Sequence, residues 1–230
     1  MEAIERWAVV IPARDEEGAI GAVVAEARAL GAGVVVVDNG SRDATAGEAA
    51  AAGARVVHEP RRGYGHACRA GVAASPHAEV VVFLDGDGSM PVEEIPRLVA
   101  PIRDGLADVV CGSRLVRREA GSMPWHQALG NGLAHRLLRS LYGVRLTELG
   151  PYRAVRGSTL RSLDMPGSRF AWPATMLARA ARRGARIVEI DVGYRPRVAG
   201  RSKVSGSVRG SLEAGAGIVA TLVWQRVAPR

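Results

Sequence analysis

Along the first half of the chain, hydrophobic runs of four or five residues alternate with Ala-rich stretches of helical length, and each run ends in polar residues. Trp7-Ala8-Val9-Val10-Ile11-Pro12, Val34-Val35-Val36-Val37, Arg55-Val56-Val57-His58 and Val80-Val81-Val82-Phe83-Leu84 are β-branched and too short for helices, so they predict strands. Residues 19–30 (stopped by Gly31), 44–52 (capped by Gly53) and 63 to about 74 predict helices. Beyond these, the pattern predicts a helix from Pro91 to about Leu106, a strand over 108–112, a helix over 176–183 and a strand over 186–194. The spacing of Leu129, Leu133, Leu137, Leu138 and Leu141 predicts a helix within 124–141, packed in the core or between copies, with a membrane surface as the alternative. Residues 146–153 read as a turn-rich patch, and 211–224 as an apolar helix lying on the body or against a second subunit.

Alternating strands and helices with polar residues gathered after the strands describe an α/β fold, a doubly wound and mostly parallel sheet flanked by helices. In such sheets the ligand crevice lies outside the carboxyl ends of the strands. Arg14, Asp38, Gly40 and Asp85 fall at that edge, and the 108–112 strand delivers Ser113 and Arg114 to it. We expect a single domain over 1–230. Residues 1–115 would form its first half, 116–206 its second half with a closing basic loop, and 207–230 a terminal helix.

The densest chemistry is Asp85-Gly86-Asp87-Gly88-Ser89. In extended chain, residues i and i+2 point the same way, so the two carboxylates converge. Like charges that close repel unless a cation lies between them. A divalent ion, Mg²⁺ or Mn²⁺, completed by phosphate oxygens and water, satisfies them; a solvated acidic turn is the plainer alternative. Gly86 and Gly88 would let a bulky ligand approach the backbone. Arg195-Pro196-Arg197-Val198-Ala199-Gly200-Arg201-Ser202-Lys203 is basic and glycine-containing, suited to closing over a diphosphate.

Composition narrows the partners. The net charge is +8, from 31 basic against 23 acidic residues, and Lys203 is the only lysine. Aromatics make up 4%, and no helix-turn-helix, zinc or RNP-type signature accompanies the basic surplus, so a nucleic-acid partner is not expected. A phosphate-bearing substrate or an acidic membrane surface would account for the charge instead. No Gly-x-x-x-x-Gly-Lys or Gly-x-Gly-x-x-Gly follows the first strand. Cys68 and Cys111 sit in apolar surroundings and read as free buried thiols of a reducing compartment. With no signal peptide or membrane-spanning run in view, a cytoplasmic protein is expected, with peripheral membrane contact and a homodimer both left open.

Seven ordered segments carry a resemblance. They are Val10-Ile11-Pro12-Ala13-Arg14-Asp15-Glu16-Glu17, Val37-Asp38-Asn39-Gly40-Ser41-Arg42-Asp43, Gly63-Tyr64-Gly65-His66-Ala67, Asp85-Gly86-Asp87-Gly88-Ser89, Gly112-Ser113-Arg114, Gly150-Pro151-Tyr152-Arg153-Ala154 and the stretch 197–205. Together they resemble the family-2 glycosyltransferases of GT-A fold, near the polyprenyl-phosphate mannosyl- and glucosyltransferase branch. The resemblance spans nearly the whole chain and implies a GDP- or UDP-hexose donor with Mn²⁺ or Mg²⁺. It implies that Pro12, Ala13, Arg14, Glu16, Asp38, Gly40, Gly65, Asp85 and Gly86 line the nucleotide. Asp85 and Asp87 would hold the metal, with Ser89 near a third ligand position. Arg114 would face the phosphates or sugar, while Arg197, Arg201, Ser202 and Lys203 would clamp the diphosphate.

The chain departs from that pattern in two places. Thr175 stands where the branch usually carries an acid, and threonine is no general base near neutral pH. Glu148, where the family tends to have aspartate, is then the expected base. His66 replaces a small residue and could act as acid or base, or be merely structural. Inverting transfer to an acceptor is the leading expectation. The alternatives are isomerisation of the nucleotide sugar between pyranose and furanose rings, with His66 as proton shuttle, and a non-catalytic sugar-nucleotide-binding protein.

Overall fold

The computed structural model describes residues 7–119, 135–168, 171–198 and 208–227, apart from the side chains of 118 and 208–214. Seven strands form one sheet in the order β3-β2-β1-β4-β6-β5-β7. They are β1 (Trp7–Ala13), β2 (Gly33–Asp38), β3 (Arg55–His58), β4 (Val80–Phe83), β5 (Val109–Arg118), β6 (Arg153–Arg156) and β7 (Ile187–Tyr194). The helices are α1 (Ile20–Ala29), α2 (Thr45–Ala51), α3 (Tyr64–Ala73), α4 (Ile95–Arg103), α5 (Gly157–Ser162), α6 (Trp172–Arg182) and α7 (Val208–Val227). Residues 135–142 are also helical.

All pairings are parallel except those of β6, which runs antiparallel between β4 and β5. Strands covered on both faces must be apolar at every position, and the valine runs are. Val9, Ile11, Val34, Val36 and Val82 face α1 and α4 in one core layer. The intervening Ala8, Val10, Val81 and Phe83 face the other layer with Trp172, Met176 and Leu177 of α6. Phe83 and Trp172 meet edge to face, 4.9 Å between ring centroids.

Two expectations change. β6, which the pattern does not predict, begins at the last residue of the turn-rich patch, and its four residues begin and end in arginine. The predicted 91–106 helix is shorter, a 3₁₀ turn over Val92–Glu94 and then α4. The N-terminal part of the predicted 124–141 helix lies outside the described residues. Among the described residues no helix is long and apolar enough to cross a membrane. Cys68 and Cys111 are free and buried, and burial raises both thiol pKa values, that of Cys111 to about 11.

Candidate active site

The loops after β1 and β2 are laced together at the carboxyl edge of the sheet. Asp15, with φ +50°, accepts from the Arg42 amide, while its own amide donates to Ser41 Oγ at 3.0 Å. The Glu16 amide donates to Thr45 Oγ1 at 2.8 Å, and the Gly18 amide to Glu48 at 2.9 Å. Arg14 lies beside Asp15 at 3.7 Å. Pro12 sits on β1 opposite Val37, past the end of the β4 pairing at Val10, where its missing N–H costs the sheet least. Ala13 is a core residue.

Asp38 closes β2. Burial alone would raise its carboxyl, but hydrogen bonds from Ser41 and His58 outweigh that and hold it below the usual range. It therefore stays an acceptor at neutral pH. Gly40, at φ +83°, makes the turn. Its neighbour Asn39 donates to the carbonyls of Glu59 and Arg61 and accepts from the Gly63 amide, all within 2.8 Å. Asn39 thus sets where α3 begins, a positioning role the sequence reading passed over.

β4 delivers Asp85 and Asp87 to the same edge. Burial, and after it the neighbouring Asp87 charge, raises the Asp85 carboxyl, while Arg114 and Arg197 act in the opposite direction. Asp87 is fully buried. Its Oδ1 accepts from the Ser89 amide at 2.9 Å and from Ser89 Oγ at 2.6 Å. Its Oδ2 pairs with Arg197 Nη2 at 2.9 Å, and Arg197 Nη1 reaches Glu16 at 3.3 Å. One guanidinium thus bridges two carboxylates. The backbone around it is clipped to β4's loop: the Arg195 amide donates to Ser89 O, and the Val198 amide to Asp87 O.

A hard divalent cation suits this donor set. Two carboxylates share a glycine-spaced turn, a third stands near, and Arg197 already supplies positive charge between them. Among the described residues no three His, Cys, Asp or Glu side chains are arranged to hold a metal unaided. Further ligands would have to be phosphate oxygens and water.

The geometry bears on several expected roles. Ser89 is wholly buried, and its Oγ donates to Asp87 and so orients that carboxylate. Gly86 and Gly88 make room for protein rather than for a ligand. A Cβ on Gly86 would lie 2.8 Å from Ile20 Cδ1, and one on Gly88 2.6 Å from Val198 Cγ2. Gly65 likewise packs on the 168–172 segment, where a Cβ would meet Ser168 Oγ at 2.6 Å and Trp172 Cβ at 2.8 Å. His66 stacks against Gly167, and its Nδ1 is buried without a hydrogen bond. Arg201, Ser202 and Lys203 lie outside the described residues.

Glu148 does not have the geometry of a base. Its side chain is fully buried, and both oxygens bind Arg114, Oε1 at 2.9 Å from Nε and Oε2 at 2.7 Å from Nη2. Oε1 also accepts from the Arg114 amide at 2.6 Å. The Arg114 guanidinium lies 4.7 Å over the Tyr194 ring, so ion pair and cation–π contact together fix it beside the acidic pair. Thr175 Oγ1 donates to Ala171 O, one turn back in α6, and offers no base either. Sequence reasoning also gave no role to Arg153. It is 1% exposed, it donates to the Gly150 and Pro151 carbonyls, and its Nη1 has no hydrogen-bond partner among the described residues. Only its place in Gly-Pro-Tyr-Arg hinted at it.

A mostly parallel sheet with two laced loops and an acidic turn at its carboxyl edge is the architecture of the GT-A glycosyltransferases. The glycosyl transferase family 2 model matches residues 8–163, and the chain belongs to that family. An uncharacterized glycosyltransferase of Mycobacterium tuberculosis is 44% identical over 89% of this chain and 92% of its own. A dolichyl-phosphate hexose transferase of Haloferax volcanii is 37% identical over 86% of each. The crystal structure of glucosyl-3-phosphoglycerate synthase from Mycobacterium tuberculosis with Mn²⁺, UDP and phosphoglyceric acid superposes with a TM-score of 0.73. It is 25% identical to this chain, over 98% of this chain and 80% of that one.

Proposed function

We propose that this glycosyltransferase moves a hexose from a nucleoside diphosphate, with inversion, to an acceptor that brings its own anionic oxygen, a phosphate monoester. The observation that carries the reading is the lack of an available base among the residues expected to supply one. Glu148 is held on both oxygens by Arg114, Thr175 is bonded within its helix, and His66 is wedged against Gly167. A hydroxyl acceptor would need a base. A phosphate monoester, with a second pKa of about 6, is already an anion at neutral pH. The Haloferax relative, by its name, acts on a dolichyl phosphate, which agrees with this reading.

Asp38, kept ionised by Ser41 and His58, is suited to accept hydrogen bonds from the base or ribose of UDP or GDP. Asp85 and Asp87 would hold Mn²⁺ or Mg²⁺, the former being the ion in the synthase crystal with UDP. Bound there, the ion would neutralise charge on the diphosphate. The acceptor oxygen attacks the anomeric carbon, the bond from that carbon to the β-phosphate oxygen breaks, and the diphosphate leaves with the bonding pair. Arg114 and Arg197 are the fixed cations beside that edge, and such charges stabilise a leaving diphosphate most when they need not reorient. The same placement of His66 removes the proton shuttle that the isomerase reading requires.

The test is incubation with Mn²⁺ and a panel of UDP- and GDP-hexoses, offering either a polyprenyl monophosphate or the corresponding free alcohol. Transfer to the phosphate alone, with the anomeric configuration inverted by NMR, is the expected result. Equal transfer to the alcohol overturns the acceptor class. A new nucleotide sugar formed without any acceptor overturns transfer itself.

A further inference from the structure

Among the described residues, helix α7 meets the rest of the protein along one face. Leu222 and Gln225 are buried, the Leu222 carbonyl accepts from Tyr142, and Gln225 accepts from Arg179 and Arg182. On the other side Ala216, Gly217, Ala220, Val223, Trp224 and Val227 are all exposed. Their spacing of i, i+1, i+4, i+7, i+8 and i+11 makes a single stripe on an α-helix. It contains no polar residue, and its large members lie open: Val223 is 50%, Trp224 58% and Val227 76% exposed. A contiguous patch of this kind marks a surface meant to be covered.

The residues around the stripe are cationic. Arg226 is exposed in the last turn of α7, and it and Arg182 both lie close enough to Tyr142 to oppose the rise that burial imposes on its hydroxyl pKa. Arg139, on the same helical face as Tyr142, and Arg183, just past α6, are exposed as well. A second copy packed on this face would carry the same basic rim and so offer it no complementary charge. An anionic surface would attract them. Trp224 next to Arg226 has the amphipathic make-up of side chains that settle at headgroup depth.

We infer that the exposed face of α7 docks on an anionic lipid surface, with the helix axis in the plane of the interface and Trp224 inserted. Since α7 does not qualify as a membrane-crossing helix, it lies on the bilayer rather than through it. This inference is independent of the transferase reading.

The experiment is co-sedimentation of the full chain with phosphatidylcholine vesicles, with and without phosphatidylglycerol. Binding only to the anionic vesicles is expected. Trp224→Ser with Val227→Ser should lower the partition coefficient about tenfold or more, from the apolar area removed. Arg226→Gln should lower it about fivefold, and the binding should weaken with salt. The substituted side chains are exposed, and circular dichroism checks that the fold is kept. Binding that ignores lipid charge, or that survives both variants, overturns the inference. A dimer in sedimentation velocity that Trp224→Ser dissolves also overturns it, assigning the face to a second copy.

Discussion

Glu148 and Arg114 are each almost free of solvent, and they form an ion pair at 2.7 Å. Removing one charge leaves the other buried and unpaired, which typically costs about 3–5 kcal/mol. Glu148→Gln should therefore lower the unfolding free energy by about 3 kcal/mol in chemical denaturation. Any activity that survives should keep the pH profile of the unmodified enzyme, because Glu148 positions Arg114 and transfers no proton. Loss of the low-pH limb of that profile in a stable Glu148→Gln protein would restore Glu148 as the base. For Asp87 the expectation runs the other way. Asp87→Ala should abolish Mn²⁺-stimulated turnover, a loss of about 100-fold or more in kcat/KM. Full activity in that variant would remove the metal assignment.

Gly65 and Asn39 act through the elements they join. Gly65→Ala should cost about 1–3 kcal/mol, because its methyl group would overlap Ser168 and Trp172 and push α3 from the start of α6. Asn39→Ala would strand two carbonyls and an amide that define the 59–63 connection, with an expected loss of about 2–3 kcal/mol by denaturation. Denaturation midpoints unchanged from the parent protein would show these contacts to be dispensable. At this scale the chemistry was more legible than the architecture. Valine runs betray buried parallel strands, and a glycine-spaced acid pair betrays a charged edge. β6 left no such trace, since its inward Arg153 contradicts the rule that core positions are apolar. The glycines of Asp-Gly-Asp-Gly were legible as a need for space, but sequence could not say that Ile20 and Val198 fill it. Nor could it show that Glu148 is already occupied, because its partner Arg114 lies far away along the chain.

Across the whole molecule, Asp108 joins three strands at the end of the sheet opposite the site. It accepts from Arg156, at the end of β6, and from Arg186, just before β7, both at 3.1 Å. The hydrogen bonds from Arg186 do the most to hold its carboxyl well below the usual range. A carboxylate depressed in the folded state adds stability above its unfolded pKa of about 3.9, and loses that contribution as pH falls toward the folded value. Asp108→Asn should therefore lower the denaturation midpoint at neutral pH, with the gap to the parent protein narrowing below about pH 4. A gap constant from pH 3 to pH 7 would mean that the ion pairs contribute nothing.

The reversed strand also governs how the molecule can assemble as it is made. β1 to β4 are contiguous in space and follow one another in sequence, so they can associate as they emerge. β5 comes next from the ribosome, yet its neighbours in the sheet are β6 and β7 and not β4. Until Arg153–Arg156 has been synthesised, β5 has no partner strand, and the exposed edge of β4 has none either. A nascent chain ending before β6 is thus an unfinished sheet with an open flank, and the polypeptide is committed to its fold only when that one short strand arrives.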